Sequence, residues 1–228
     1  MEPEFIRWST PHLTVLALTV VLTAAFLIAG RCMSQQGRYR LCRCLAMVML
    51  LELVGEHILR LIDPEYGPWQ ENLPLQFCTL MGFISVIALW TRARWACGAV
   101  YFCVLTASIQ ALITPALAAG WPSIRFVLFF LSHSLLMVAA LAGPILLGWR
   151  ARGYDDLRAV LLGDVYLLCI IPVNIWLGTN YGFTRVSPAQ GSMLDYLGAA
   201  PYYYLWLQLP AWGIFRFMYL FVRDKSED

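Results

Sequence analysis

Two side chains in this sequence have the types that nucleophilic catalysis needs: Cys78, at the head of one apolar stretch, and His133, deep within another. A cysteine is a competent nucleophile only as its thiolate, so it needs a base or a positive charge beside it. Imidazole is the side chain suited to draw that proton near neutral pH. His133 is flanked by Ser132 and Ser134, and its apolar run predicts a depth comparable with that of Cys78. Spacing alone leaves a rival open, because Cys78, His133, Glu56 and His57 also carry the donor atoms of a zinc shell. Neither a His-x-x-x-His nor a Cys-x-x-Cys pattern accompanies them, so no metal and no cofactor is expected. Around the pair stand Arg60, Arg125, Glu56 and His57, which have the charges to hold a lipid headgroup. The amides and hydroxyls of Asn174, Asn180, Thr114, Gln110 and Tyr181 have the donors to steady an oxyanion or position a substrate. Each has a plainer reading as well. Glu56 and Arg60 are spaced to neutralise each other at i and i+4, and Arg125 stands where an arginine snorkels to phosphates. Gln110, Asn174 and Gln208 suit ordinary interhelical hydrogen bonds.

The elements that must position these groups are membrane helices. Of the 228 residues, 60% are hydrophobic and 13% charged, where a soluble domain carries about a quarter charged residues. Each span needs about 20 mostly apolar residues. Seven stretches qualify: 12–30, 41–62, 74–90, 95–114, 125–148, 157–177 and 202–222. They are separated by turn and stop signals such as Asp63-Pro64, Gly67-Pro68 and Gly120-Trp121-Pro122. The composition excludes a soluble globular domain, a nucleic-acid binder and any sizeable domain outside the membrane. The 7 cysteines are an odd number lying mostly in apolar runs, which argues against a disulfide framework. Glu2 and Glu4 precede the first stretch and an arginine-rich segment follows it, so it reads as a retained span and not a removable leader.

Arginine and lysine orient the chain. Arg31, Arg38, Arg40 and Arg43 follow the first span, and Arg92 and Arg94 follow the third. Arg150, Arg152 and Arg158 follow the fifth, and Arg223 and Lys225 close the chain. Basic loops stay in the cytoplasm, so an all-α bundle of seven spans is expected, N-terminus out and C-terminus in, as one domain over residues 1–228. That orientation places the polar side chains of six spans in the outward half, where they suggest one cavity open to the outer leaflet. Asp164 is the exception in the inward half. Tyr202, Tyr203, Tyr204, Trp206 and Trp121 read as an interfacial aromatic belt. Cys97, Cys103 and Cys169 read as small core hydrophobes, and Cys32, Cys42 and Cys44 as thiols near the cytoplasmic boundary.

The order of motifs resembles the YwaF-type integral membrane proteins, relatives of transmembrane protein 164. It is carried by LELVGEHILR (51–60), LPLQFCTL (73–80), IQALITP (109–115), RFVLFFLSHSLL (125–136), LGTNYGF (177–183) and PYYYLWLQLP (201–210). The resemblance spans nearly the whole chain. It implies an acyltransferase that moves a fatty acyl chain between glycerophospholipids, with Cys78 in the nucleophile position and His133 in the base position. Gln76 and Thr79 stand where such proteins often carry a histidine and an acidic residue. The partners so implied are membrane phospholipids and lysophospholipids, in a bacterial inner membrane or an endomembrane. Lipid or amphipath binding without chemistry, and a metal-dependent lipid hydrolase, are the competing readings.

Overall fold

The computed structural model describes residues 3–188 and 191–224; Lys225, one of the tail cations, lies outside the described residues. Seven long helices follow one another: α1 (Thr10–Arg31), α2 (Gln35–Ile62), α3 (Phe77–Thr91), α4 (Arg94–Ile113), α5 (Ile124–Leu146), α6 (Asp155–Leu177) and α7 (Tyr203–Val222). Their bounds fall within a few residues of the apolar stretches, except that α2 begins earlier, at Gln35. Ser34 explains this: its hydroxyl accepts from the Gly37 amide and caps a polar first turn. Ser123 caps α5 in the same way through the Arg125 amide. Gly178, at φ 73°, ends α6 in the left-handed conformation that favours glycine. Short 3₁₀ turns at Pro64–Tyr66, Trp69–Glu71, Tyr181–Phe183 and Met193–Tyr196 fill the connections. No β-strand forms among the described residues.

Five of these helices, α1, α4, α5, α6 and α7, are long and apolar enough to cross a membrane, and α3 is a shorter apolar helix. The 28-residue α2 carries charges along its length, including Arg38, Arg40, Arg43, Glu52, Glu56 and Arg60. Burial divides the apolar helices into two kinds. In α4 and α5, 61% and 50% of the most apolar window lies inside the protein, against 22% in α1 and 11% in each of α6 and α7. A helix that is apolar on every face yet so little covered is suited to lipid contact. α5 is the hub, packing against α1, α2, α3 and α4, while α2 lies along α3 and α7 lies along α6.

The core sits where α4 turns through a π-helical segment at Val100–Val104, every residue of which is buried. The wider turn directs Tyr101 and Phe102 inward together. Tyr101 meets Trp149, and Phe102 meets Trp149 and Phe215, at ring separations of 5.5, 6.2 and 5.6 Å. A second cluster of Leu112, Phe126 and Phe130 closes the opposite end, with Phe5 folded onto it. His12 locks that end: it is fully buried, its Nδ1 accepts from the Trp8 amide, and its Nε2 donates to the Leu112 carbonyl at 2.9 Å.

The residues before α1 return along the loop after α4, where Phe5 donates to Ala118 and Gly120 donates to Pro3 at 2.7 and 2.6 Å. A Cβ at Gly120 would stand 2.5 Å from the Glu4 carbonyl oxygen, so this approach needs glycine. Gly120→Ala is expected to cost about 2 kcal/mol by prying the two backbones apart. Thermal unfolding in detergent micelles measures it, and an unchanged midpoint would show that the N-terminal contact contributes nothing.

Candidate functional site

Alternating helix directions bring six polar helix ends to one end of the bundle: the last turns of α2, α4 and α6 and the first turns of α3, α5 and α7. Contacts across that end confirm the grouping, including Arg125 to Glu65 at 3.3 Å and the Gly182 amide to Gln76 Oε1 at 3.2 Å. The arginines at 31, 38, 92, 94, 150, 152 and 158 lie toward the other end, where Arg94 reaches Asp155 and Arg152 reaches Asp224.

Cys78 lies in the first turn of α3 on the stripe continued by Met81, Gly82, Ser85, Ala88 and Leu89, all of them buried. It is half-buried and packs against the main core. His133 lies on the inward stripe of α5 with Phe126, Phe130, Leu136 and Ala140, and is 7% exposed. Since α3 and α5 pack on one another, the two inward stripes belong to neighbouring helices. The His133 ring stacks on Phe129 with centroids 4.3 Å apart, and its Nδ1 lies 2.8 Å from the Phe129 carbonyl oxygen. A carbonyl only accepts, so Nδ1 carries the proton, and in the neutral form of the ring the lone pair is then on Nε2. That is the tautomer a general base requires. No hydrogen bond joins Cys78 to His133 among the described residues. The charged groups facing His133 are Glu56 and Arg60 of α2, whereas the polar neighbour of Cys78 is Tyr166 of α6.

Glu56 and Arg60 form an ion pair, with Oε1 2.6 Å from Nη2 and 3.0 Å from Nε. Two guanidiniums lie over the Tyr66 ring, Arg60 at 5.4 Å and Arg125 at 4.6 Å from its centroid. Its hydroxyl is buried without a hydrogen-bond partner, and burial raises it above the ordinary phenol value, so it stays protonated. Glu52 Oε1, one turn before Glu56, is likewise buried and unpartnered. His57 is turned back on its own helix, with Nδ1 2.7 Å from the Leu53 carbonyl oxygen. Tyr66 is not among the residues that spacing or motif singles out in the sequence. It sits in the Pro64–Tyr66 turn, held by the Asn72 amide at Tyr66, Gly67 and Pro68, and nothing local marks it.

The second polar neighbourhood surrounds the entry to α3. Asn174 is fully buried and fully engaged. Its Nδ2 donates to the Tyr181 carbonyl and to Thr184 Oγ1, and its Oδ1 accepts from Thr179 and from the Tyr181 amide. With both N–H groups committed, its role is to position the turn after α6. Tyr181 in turn donates its hydroxyl to the Gln70 carbonyl at 2.6 Å and accepts from the Leu73 amide at 2.8 Å. Burial raises that phenol too and keeps it a donor. Tyr166 donates to the Leu75 carbonyl at 2.9 Å. Two side chains, Tyr181 and Tyr166, thus fix residues 70–75, and with them the start of α3. Asn180 turns inward on its own loop, bonding Arg185 and Val186. Glu71, Gln76, Asn180, Tyr181 and Arg185 line a recess of about 570 Å³ here. Gln110 and Thr114 bond each other across one turn of α4 and make no hydrogen bond to either neighbourhood.

Tyr181→Phe removes one hydroxyl that serves two backbone groups, and is expected to cost about 1–2 kcal/mol. Proteolysis of the loop at 63–76, compared between variant and parent in the folded state, measures it. Equal cleavage rates would contradict the clamp.

Several aromatic and cysteine assignments change. Tyr203 and Tyr204 are not belt residues: Tyr203 is fully buried, and their hydroxyls donate to the carbonyls of Phe183 and Gly182. Those bonds to the loop carbonyls turn the rings inward. Tyr202, Trp206 and Trp121 stay exposed. Cys97 and Cys103 are buried, but Cys169 is exposed on α6, which with α7 is among the helices least covered by protein. Cys42 is buried in the core between α2 and α4, unlike its exposed neighbours Cys32 and Cys44. Asp164 accepts from Gln208 across α6 and α7 at 2.8 Å, an ordinary interhelical bond.

Five helices long and apolar enough to cross a membrane, with a polar cluster gathered at one end, define a multi-pass integral membrane protein. The profile of the TMEM164 family matches residues 7–219, and the chain belongs to that family. No curated protein and no solved structure gives a significant match.

Proposed function

We propose that this protein is an intramembrane acyltransferase that moves a fatty acyl chain between glycerophospholipids through a thioester on Cys78. In this reading all seven helices span the bilayer, the N-terminus faces out, and the polar end opens to the outer leaflet of a bacterial inner membrane or an endomembrane. The observation that carries it is the placement of Cys78 and His133 on inward stripes of two packed helices, with the imidazole tautomer that puts the lone pair on Nε2. His133 takes the Cys78 proton, and the thiolate attacks the ester carbonyl of a donor phospholipid. The tetrahedral intermediate collapses to the thioester, and the departing lysophospholipid alkoxide takes the proton back from His133. A lysophospholipid hydroxyl, deprotonated by the same ring, then attacks the thioester and releases the thiolate. Arg60 and Arg125 hold the lipid phosphate by exchanging their carboxylate partners for it. Asn180, whose side chain has an N–H to spare, is nearest in chemistry to an oxyanion donor, while Asn174 and Tyr181 position the loop.

Binding without chemistry is the second reading, favoured by the absence of a Cys78–His133 hydrogen bond among the described residues. Catalytic contacts are often long before substrate enters, which is why transfer ranks first. Purified protein in liposomes with labelled lysophospholipid tests it. Acyl exchange is expected from the parent and to be lost in Cys78→Ala and His133→Ala. Exchange at the parental rate in both variants would refute the assignment.

A further inference from the structure

The opposite, arginine-rich end holds a second cleft, of about 380 Å³, between α4 and α6. Its mouth is formed by Arg94 and Arg158, which grip Asp155 from two sides at 3.4 and 2.8 Å. Asp155 is nearly covered, with its side chain 12% exposed, whereas that of Arg158 is 73% exposed. One carboxylate fixes two guanidiniums and leaves a net positive charge. Arg94 uses only Nη2, toward Asp155 and the Arg150 carbonyl, and Arg158 uses only Nη1. Among the described residues, Nε and the other terminal nitrogen of each make no hydrogen bond, and they stand in the fork geometry that matches a phosphate. Below this charged mouth the lining is apolar. Gly98 and Ala159 form a shallow floor leading to Leu162, one turn from Arg158 along α6, and the Trp95 indole stands exposed at the rim.

A soluble anion would use the mouth and gain nothing from the floor. A diacyl lipid with a zwitterionic head would bring an amine to a mouth whose one carboxylate is already shared by two arginines. We propose that this cleft binds one anionic glycerophospholipid, its phosphate held by Arg94 and Arg158 and one acyl chain laid over Gly98 and Ala159 toward Leu162. Basic pockets between helices commonly hold acidic lipid headgroups. The site is separate from the acyl-transfer end, so its fate and that of the transfer reading are independent.

Native mass spectrometry of the full-length protein, titrated with dioleoylphosphatidylglycerol, tests the proposal. The parent is expected to retain one such lipid that dioleoylphosphatidylcholine does not displace. Arg158→Gln, a change on an exposed side chain that folding tolerates, weakens retention about fivefold, and Arg94→Gln with Arg158→Gln about thirtyfold. Inorganic phosphate alone leaves the thermal midpoint unchanged. Equal retention in the parent and Arg158→Gln, equal affinity for the two lipids, or stabilisation by inorganic phosphate to the same degree would each overturn it.

Discussion

His133→Gln, reconstituted in liposomes, is expected to exchange acyl chains about 10² to 10⁴ times more slowly than the parent, the range a positioned general base supplies. Glutamine approximates the size of imidazole and can still donate to the Phe129 carbonyl, which His133 Nδ1 now meets at 2.8 Å. What it cannot do is accept a proton from a thiol. The loss therefore falls on kcat, with KM nearly unchanged, because Arg60 and Arg125 are untouched. Cys78→Ala falls further, to the uncatalysed background, since no other nucleophile is assigned. Rates measured across lysophospholipid concentration separate the two effects. A rise in KM at constant kcat would make His133 a binding residue and remove the base from the mechanism.

Asn174→Ala is expected to have the largest effect on stability, about 3 kcal/mol or more. The side chain is fully buried and serves four partners. Truncation leaves the Tyr181 carbonyl and amide and two threonine hydroxyls without it, each at a cost of about 1–3 kcal/mol where water cannot replace the bond. The damage spreads, because the same turn presents Tyr181 to Gln70 and Leu73. Asn174→Asp keeps the acceptor and loses both donors, so it too is destabilised. Thermal unfolding in detergent reads both variants, and a midpoint unchanged by Asn174→Ala would contradict this account of the loop.

The helices were legible in the sequence because length and apolarity set them and Gly and Pro punctuate them, whereas the polar first turn that Ser34 caps on α2 carries no apolar signal. The gathering of polar groups at one end was legible too, since alternating helix directions follow from the short connections. Which face of an apolar helix meets protein was not. In α7 a tyrosine turned to lipid and one turned inward look alike, and only the carbonyls of Gly182 and Phe183 decide for Tyr203 and Tyr204. Cys169, read as a core thiol, is exposed for the same reason: apolar periodicity carries little information when both surroundings are apolar. Tyr66 and Asn72 escaped notice because their roles arise from the fold of a loop. The Glu56–Arg60 pair was readable from its i, i+4 spacing, but the second guanidinium over Tyr66 comes from α5, distant in the chain.

The most direct measurement is the mass of the protein after brief exposure to a phospholipid donor, with no acceptor present. An acyl adduct on the peptide containing Cys78, released by neutral hydroxylamine and missing in His133→Gln, is the predicted result. Protein that exchanges acyl chains yet carries its adduct on another cysteine, or on none, would contradict the thioester at Cys78.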